Sequence, residues 1–212
     1  MDNDKPLQDL QHIKNMMERS SRFISLSGFS GIAAGICAII GAYFAFTVIG
    51  IGNHAEGYIA VNENPIATIK EFMGYSLFRI ALLTLTGAII FAFVFTYLRS
   101  KKNNVPMWGS ASKRLILAIA IPLIAGGFYL LRQIQMGHYG LIAPGTLIFY
   151  GLALLNGSKY TLGEIKYLGY AQIALGIISS WMIGYGLYFW TFGFGVLHIV
   201  YGAIMWYKYE RI

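Results

Sequence analysis

The chain has 212 residues, 57% of them hydrophobic and 12% charged, with a mean hydropathy of +0.58 and a net charge of +7. That balance excludes an ordinary soluble domain. The positive charge calls for no nucleic-acid partner, because it collects in alternate gaps between apolar stretches, where topology and attraction to anionic lipid account for it.

Residues 3–20 read as a short amphipathic helix ahead of the membrane. Asp4 suits an N-cap and Pro6 the first turn. Leu7, Leu10, Ile13 and Met17 fall near one face, with Asp9, His12, Glu18 and Arg19 mostly on others. Such a helix lies in the membrane interface, or packs on a partner or on the chain's own loops. Residues 1–22 lack the apolar core of a signal peptide, so the first apolar run is expected to stay as a helix. The chain divides into this segment, 1–22, and a transmembrane domain, 23–212.

Six apolar stretches approach the roughly 20 residues that match a hydrocarbon layer of about 30 Å. They cover 23–50, 77–98, 115–131, 139–155, 162–183 and 188–207, and the third and fourth are short. The fold expected is all-α, a polytopic bundle of six transmembrane helices, since helices satisfy their own backbone in lipid. No strand alternation suggests an outer-membrane barrel. Thirteen basic residues fall in one set of gaps: Lys5, Lys14, Arg19, Arg22, Arg99, Lys101, Lys102, Lys113, Arg114, Lys159, Lys166, Lys208 and Arg211. The other set holds three, Lys70, Arg79 and Arg132, which completes the 16 of the chain. The positive-inside rule then places both termini in the cytoplasm.

Local signals mark the elements. Ser110 or Ser112 is placed to cap the third helix, Asn156-Gly157 to stop the fourth, and Thr161 with Glu164 to form a capping box that starts the fifth at Leu162. The turn 184–187 is so short that the last two helices must be antiparallel neighbours. Ala143-Pro144-Gly145-Thr146 is the best candidate for a broken helix, and Pro122 for a kink. Small residues mark packing faces: Ser27, Gly31 and Gly35, with Ala34, Ala38 and Ala42, in the first span; Ala118, Pro122 and Gly126 in the third; Gly195 and Gly202 around His198 in the last. Cys37 has no partner for an internal disulfide. Trp181, Tyr185, Tyr188, Phe189 and Trp190 at one end of the last hairpin, and Trp206, Tyr207 and Tyr209 at the other, match interfacial belts.

Two polar groupings are candidate sites. His198 lies about ten residues from either end of the last span, near the bilayer midplane, with Tyr201 beside it. Gln172 and Ser179 in the fifth span complete a midplane set. The reading of His198 is open between a hydrogen-bonded structural imidazole and a functional one. Arg132, His138 and Arg79 form an outer-face set, either snorkelling to headgroups or binding an anionic group. No cofactor is expected. A bis-histidine haem needs two ligands at one depth, and His12, His54 and His138 do not match His198. No metal site is expected either, for want of HxxxH or CxxC spacing. The cores of the spans carry no Asp or Glu, which disfavours a carboxylate-driven antiporter. Nucleotide-binding and hydrolase motifs are lacking, so an ATP-driven pump or a recognisable intramembrane hydrolase is not expected, and an enzyme ranks third among the readings.

Leu141-Ile142-Ala143-Pro144, Gly157-Ser158-Lys159-Tyr160-Thr161-Leu162 and Gly193-Phe194-Gly195-Val196-Leu197-His198 resemble a group of uncharacterised six-span bacterial membrane proteins. The resemblance covers the third to sixth spans, implies a bacterial inner-membrane location and carries no known activity or catalytic residues. Two functions stay open. One is a non-catalytic membrane partner or sensor, with the lipid bilayer and a membrane or cytoplasmic protein or a second copy as partners. The other is a small permease or channel-like protein with a polar path near His198.

Overall fold

The computed structural model describes residues 27–51, 76–103 and 107–211. The amphipathic segment and most of the loop between the first two spans lie outside them. Among the described residues the fold is all-helical. We label the helices α1 (Gly28–Ile51), α2 (Ser76–Lys102), α3 (Ser110–Gln135), α4 (Ile142–Gly157) and α5 (Ile165–Trp181). The last helix, α6 (Gly186–Tyr209), is α-helical at both ends and π-helical over Thr191–Leu197.

Five helical stretches are long and apolar enough to cross a membrane: Gly28–Ile49, Ser76–Lys102, Ser110–Gln135, Tyr139–Tyr160 and Gly186–Tyr209. The remaining helix, α5, has 17 residues, about 25 Å at 1.5 Å per residue. The third stretch, expected to be short, runs to 26 residues, because polar residues at both ends continue its helix.

Consecutive helices run antiparallel, which gathers the charges. Arg99, Lys101, Lys102, Lys113, Arg114, Lys159, Lys166, Lys208 and Arg211 belong to one end of the bundle. Arg79 and Arg132 belong to the other. We call the first the basic end.

The helices pack as a chain of neighbours. α2 packs on α1, α1 on α6, α6 on α4 and α5, and α3 on α4. Small residues set the closest approaches. A Cβ at Gly35 would stand 2.7 Å from the Gly195 carbonyl, and one at Gly202 2.6 Å from the Gly28 carbonyl. Gly31 faces Gly202, so the small rows of the first and last spans meet each other. A similar approach joins α4 to α5, where a Cβ at Gly151 would lie 2.7 Å from the Gly169 carbonyl. In contrast, α2 buries only Arg99 and Ser100 along its length. Its Leu82, Leu83, Leu85, Ile89 and Ile90 are exposed, as suits side chains that face lipid.

Several local expectations are corrected. Pro144 breaks nothing: it is the third residue of α4, where a missing N–H has no intrahelical partner to lose. A 3₁₀ turn, Tyr139–Leu141, leads into that helix. The irregular stretch lies instead in α6. The Thr161–Glu164 capping box does not form; α5 begins at Ile165, and the Glu164 carboxylate is taken by Lys208 and Tyr209. Nor does Ser110 or Ser112 cap α3. The N-cap is Gly109, and Ser112 Oγ donates to the Met107 carbonyl at 2.7 Å. Asn156-Gly157 does end α4, and Asn156 Nδ2 donates to the Ala118 carbonyl of α3 at 2.8 Å.

Candidate functional site

The π-helical stretch is built from Thr191-Phe192-Gly193-Phe194-Gly195-Val196-Leu197. A π turn closes on the fifth residue rather than the fourth, and Gly193 and Gly195 relieve the crowding of that wider turn. Gly193 is also needed for close approach. A Cβ there would lie 2.6 Å from both Gln172 Oε1 and Leu147 Cδ2.

The Gly193 carbonyl is the hub of the site. His198 Nδ1 lies 3.0 Å from it and Gln172 Nε2 donates to it at 2.8 Å. A carbonyl only accepts, so Nδ1 carries the imidazole proton. In the neutral ring the other nitrogen, Nε2, is then an acceptor. It lies 2.8 Å from the Tyr150 hydroxyl, which donates. In the neutral imidazole both nitrogens are thus satisfied, and His198 is 6% exposed. Its ring stacks on Phe194 at 5.7 Å between centroids, and the Tyr150 ring lies 5.4 Å away. Trp190 extends the stack to 5.0 Å from Phe194.

Of the midplane set, His198 and Gln172 meet through the Gly193 carbonyl. The side chains of Tyr201 and Ser179 make no hydrogen bond: Tyr201 Oη, Ser179 Oγ and Gln172 Oε1 are buried without a partner among the described residues. Gln172 and Ser179 are wholly buried, at 0% exposure each. Tyr150 was not legible as a site residue. It is one aromatic in an apolar span, and only the α4–α6 contact reveals it. The five-residue step from Gly193 to His198 is the sequence trace of the π turn.

At the end away from the basic one, His138 Nδ1 donates to Gln133 Oε1 at 2.9 Å, and Arg132 donates to Gln135 Oε1 at 3.4 Å. These contacts stay within the end of α3 and the turn after it. Arg79 is exposed on α2, a helix that packs on α1.

The basic end holds two carboxylate knots that sequence reasoning missed. Among the described residues Glu164 and Glu210 are the only acidic ones. Glu210 accepts from Arg99 at 2.7 Å, from Ser27 Oγ at 3.2 Å and from the Gly28 N–H. It thus caps α1 from the far end of the chain and draws α2 to the same point. A cavity of about 330 Å³ beside it is lined by Phe29, Phe95, Lys102 and Trp206 as well. Glu164 accepts from Lys208 and, at 2.6 Å, from the Tyr209 hydroxyl. Partial burial pushes the Glu164 carboxyl up, but the bonds from Lys208 and Tyr209 outweigh it and hold the group down at about 2. No cluster of three His, Cys, Asp or Glu occurs among the described residues.

No family model, characterised protein or solved structure matches this chain.

Proposed function

We propose that the chain is a six-span protein of the bacterial inner membrane, with the basic end in the cytoplasm, that serves as a non-catalytic membrane partner or sensor. The six spans take in α5, whose 17 residues reach the lower limit of a transmembrane helix. The orientation rests on the positive-inside rule and its excess of basic residues at one end.

One observation carries the functional reading. The single ionisable imidazole at midspan spends both nitrogens on Tyr150 and the Gly193 carbonyl, and is closed off by Phe194 and the close approach of α1. A transport site presents unpaired polar groups to a solute. Here the midspan imidazole is a packing element instead. The competing reading, a small permease, draws on the orphaned Gln172 Oε1 and Ser179 Oγ.

Vesicles reconstituted with the full chain decide between them. Stopped-flow shrinkage in glycerol, urea or sucrose is expected to match protein-free vesicles. Faster equilibration of any of these solutes, lost in Gln172→Leu, would establish the permease instead.

A further inference from the structure

Three helices converge on one gap at the basic end. α1 packs on both α2 and α6, and the Arg99–Glu210 pair ties those two at the start of α1. The cavity of about 330 Å³ beside the pair is lined from all three helices. α2 contributes Phe95, Leu98 and Lys102, spaced by three and four residues and so on one face of the helix. α6 contributes Trp206 and α1 contributes Phe29. The Phe29 ring stacks on Phe95 at 6.1 Å between centroids and meets Trp206 edge-on at 5.9 Å, so the three rings form one apolar wall.

The lining changes character with depth. α2 has 27 residues, about 40 Å at 1.5 Å per residue, against a hydrocarbon layer of about 30 Å. Its last turn, ending at Lys102, therefore stands among headgroups. Phe95 is two turns back, about 10 Å deeper, at the level of glycerol and the first acyl carbons. Charge narrows the ligand further. The Glu210 carboxylate is committed to Arg99, Ser27 and the Gly28 N–H. Lys102 makes no ion pair among the described residues, so its ammonium is the uncompensated charge of the cavity.

We propose that this cavity binds the headgroup of an anionic phospholipid with one net negative charge, such as phosphatidylglycerol. Lys102 holds the phosphodiester by a charge-assisted hydrogen bond, and the Asn103 amide, which also lines the cavity, supplies neutral donors. Phe29, Phe95 and Trp206 take the glycerol and the upper acyl carbons. The volume lies at the lower end of ligand-sized cavities, roughly 300–1,000 Å³, and suits a headgroup rather than a whole lipid. The acyl chains run on into the bilayer past Leu98 and Phe29, which are exposed.

Other ligands fit the lining less well. A free phosphate gains nothing from the aromatic wall. A zwitterionic headgroup brings an ammonium, and both described carboxylates are already committed to basic side chains. A bound lipid also has a structural consequence. α2 buries only Arg99 and Ser100 along its length, so the lipid adds a second tie between that helix and α6. The site goes beyond the sensor-or-partner reading and needs only that the chain stands in a bilayer.

The test titrates the full chain, in detergent micelles, with phosphatidylglycerol or with phosphatidylethanolamine of the same acyl chains, and counts bound lipid by native mass spectrometry. Phosphatidylglycerol is expected to bind about fivefold or more tightly than phosphatidylethanolamine, the scale of one interfacial charge. Soluble glycerol phosphate is expected not to displace it. Lys102→Gln is expected to weaken phosphatidylglycerol binding about tenfold or more, the scale of a charged hydrogen bond. Lys101→Gln removes the same charge one residue away and outside the cavity, and is expected to cost about fivefold or less. If Lys102→Gln does not fold, Asn103→Asp, which sets a carboxylate beside the phosphate, is expected to weaken binding about fivefold or more. Equal losses in the Lys101 and Lys102 variants would mean general attraction to the basic surface and overturn the proposal. Equal binding of the two lipids would overturn it as well, and displacement by glycerol phosphate would make this a site for a soluble phosphate instead.

Discussion

Tyr150 donates its hydroxyl proton to Nε2 of His198 at 2.8 Å, joining α4 to α6 across 48 residues of chain. In hydrocarbon each partner would otherwise be an unpaired polar group, so the bond binds those helices more firmly than its bare energy suggests.

Removing either partner exposes that cost. Tyr150→Phe leaves Nε2 buried and unpaired, and is expected to destabilise by about 1–3 kcal/mol. His198→Leu strands Tyr150 and the second bond of the Gly193 carbonyl, and is expected to cost at least as much. His198→Gln keeps a donor and an acceptor, so it should be the mildest of the three. Thermal unfolding in detergent gives the order. A Leu variant more stable than the Gln variant would show that the hydrogen bonds do not hold the site.

The α1–α6 contact predicts a steep size dependence. A Cβ at Gly202 would meet the Gly28 carbonyl and Ile32 N at 2.6 Å each, both backbone atoms that cannot swing aside. Gly202→Ala is therefore expected to lower stability by about 1–3 kcal/mol, and Gly31→Leu to force the helices further apart. Gly127→Ala is the control, since its Cβ would meet nothing within 4 Å. It is expected to change stability by no more than about 1 kcal/mol. Equal melting temperatures for all three would mean that the two helices do not pack this way.

Glu210 ties three helix ends, so its loss should be felt at a distance. Glu210→Ala removes the acceptor for Arg99, Ser27 and the Gly28 N–H together. Breaking a pair whose side chains are 8% and 14% exposed is expected to cost about 3 kcal/mol. Glu210→Gln keeps an acceptor and should recover part of it. Hydrogen exchange at the first turn of α1 checks the mechanism: protection there should fall in the Ala variant before the middle of the helix changes.

Acid should loosen the α5–α6 contact within a defined window. The Glu164 carboxyl is held at about 2 in the folded chain, below its ordinary 4.5. A depressed carboxyl contributes stability that is fully present above about 4.5 and is lost as pH falls through about 2. Melting temperature should therefore decline below pH 4.5, and Glu164→Gln should flatten that decline. The effect stays small, because Lys208 is exposed and salt screens it. An unaltered slope in the Gln variant would assign the acid sensitivity to other groups.

Reporter fusions check the orientation. A fusion after residue 60 is expected to report the exterior and one after residue 212 the cytoplasm. A cytoplasmic signal at residue 60 would invert the proposed topology.

The apolar stretches, the basic bias and the small-residue rows were all legible in the chain. Each is a property of one segment facing lipid or water, and the bilayer imposes it whatever the neighbours are. Gly31, Gly35, Gly195 and Gly202 declared a close approach, because only small side chains admit one. Which rows would meet was not written there. Local capping signals failed where a distant side chain competed: Glu164 abandons its capping box for Lys208 and Tyr209, 44 and 45 residues on. Pro144 looked like a break and is an ordinary first-turn proline. The actual irregularity, the π turn at Thr191–Leu197, has a carbonyl whose partners come from two different helices. His198 could be placed in depth from the chain alone, since depth is counted along one helix. Its charge state, its tautomer and its partner Tyr150 were decided only by tertiary packing, because a hydrogen bond depends on which helix is the neighbour and sequence distance does not encode that.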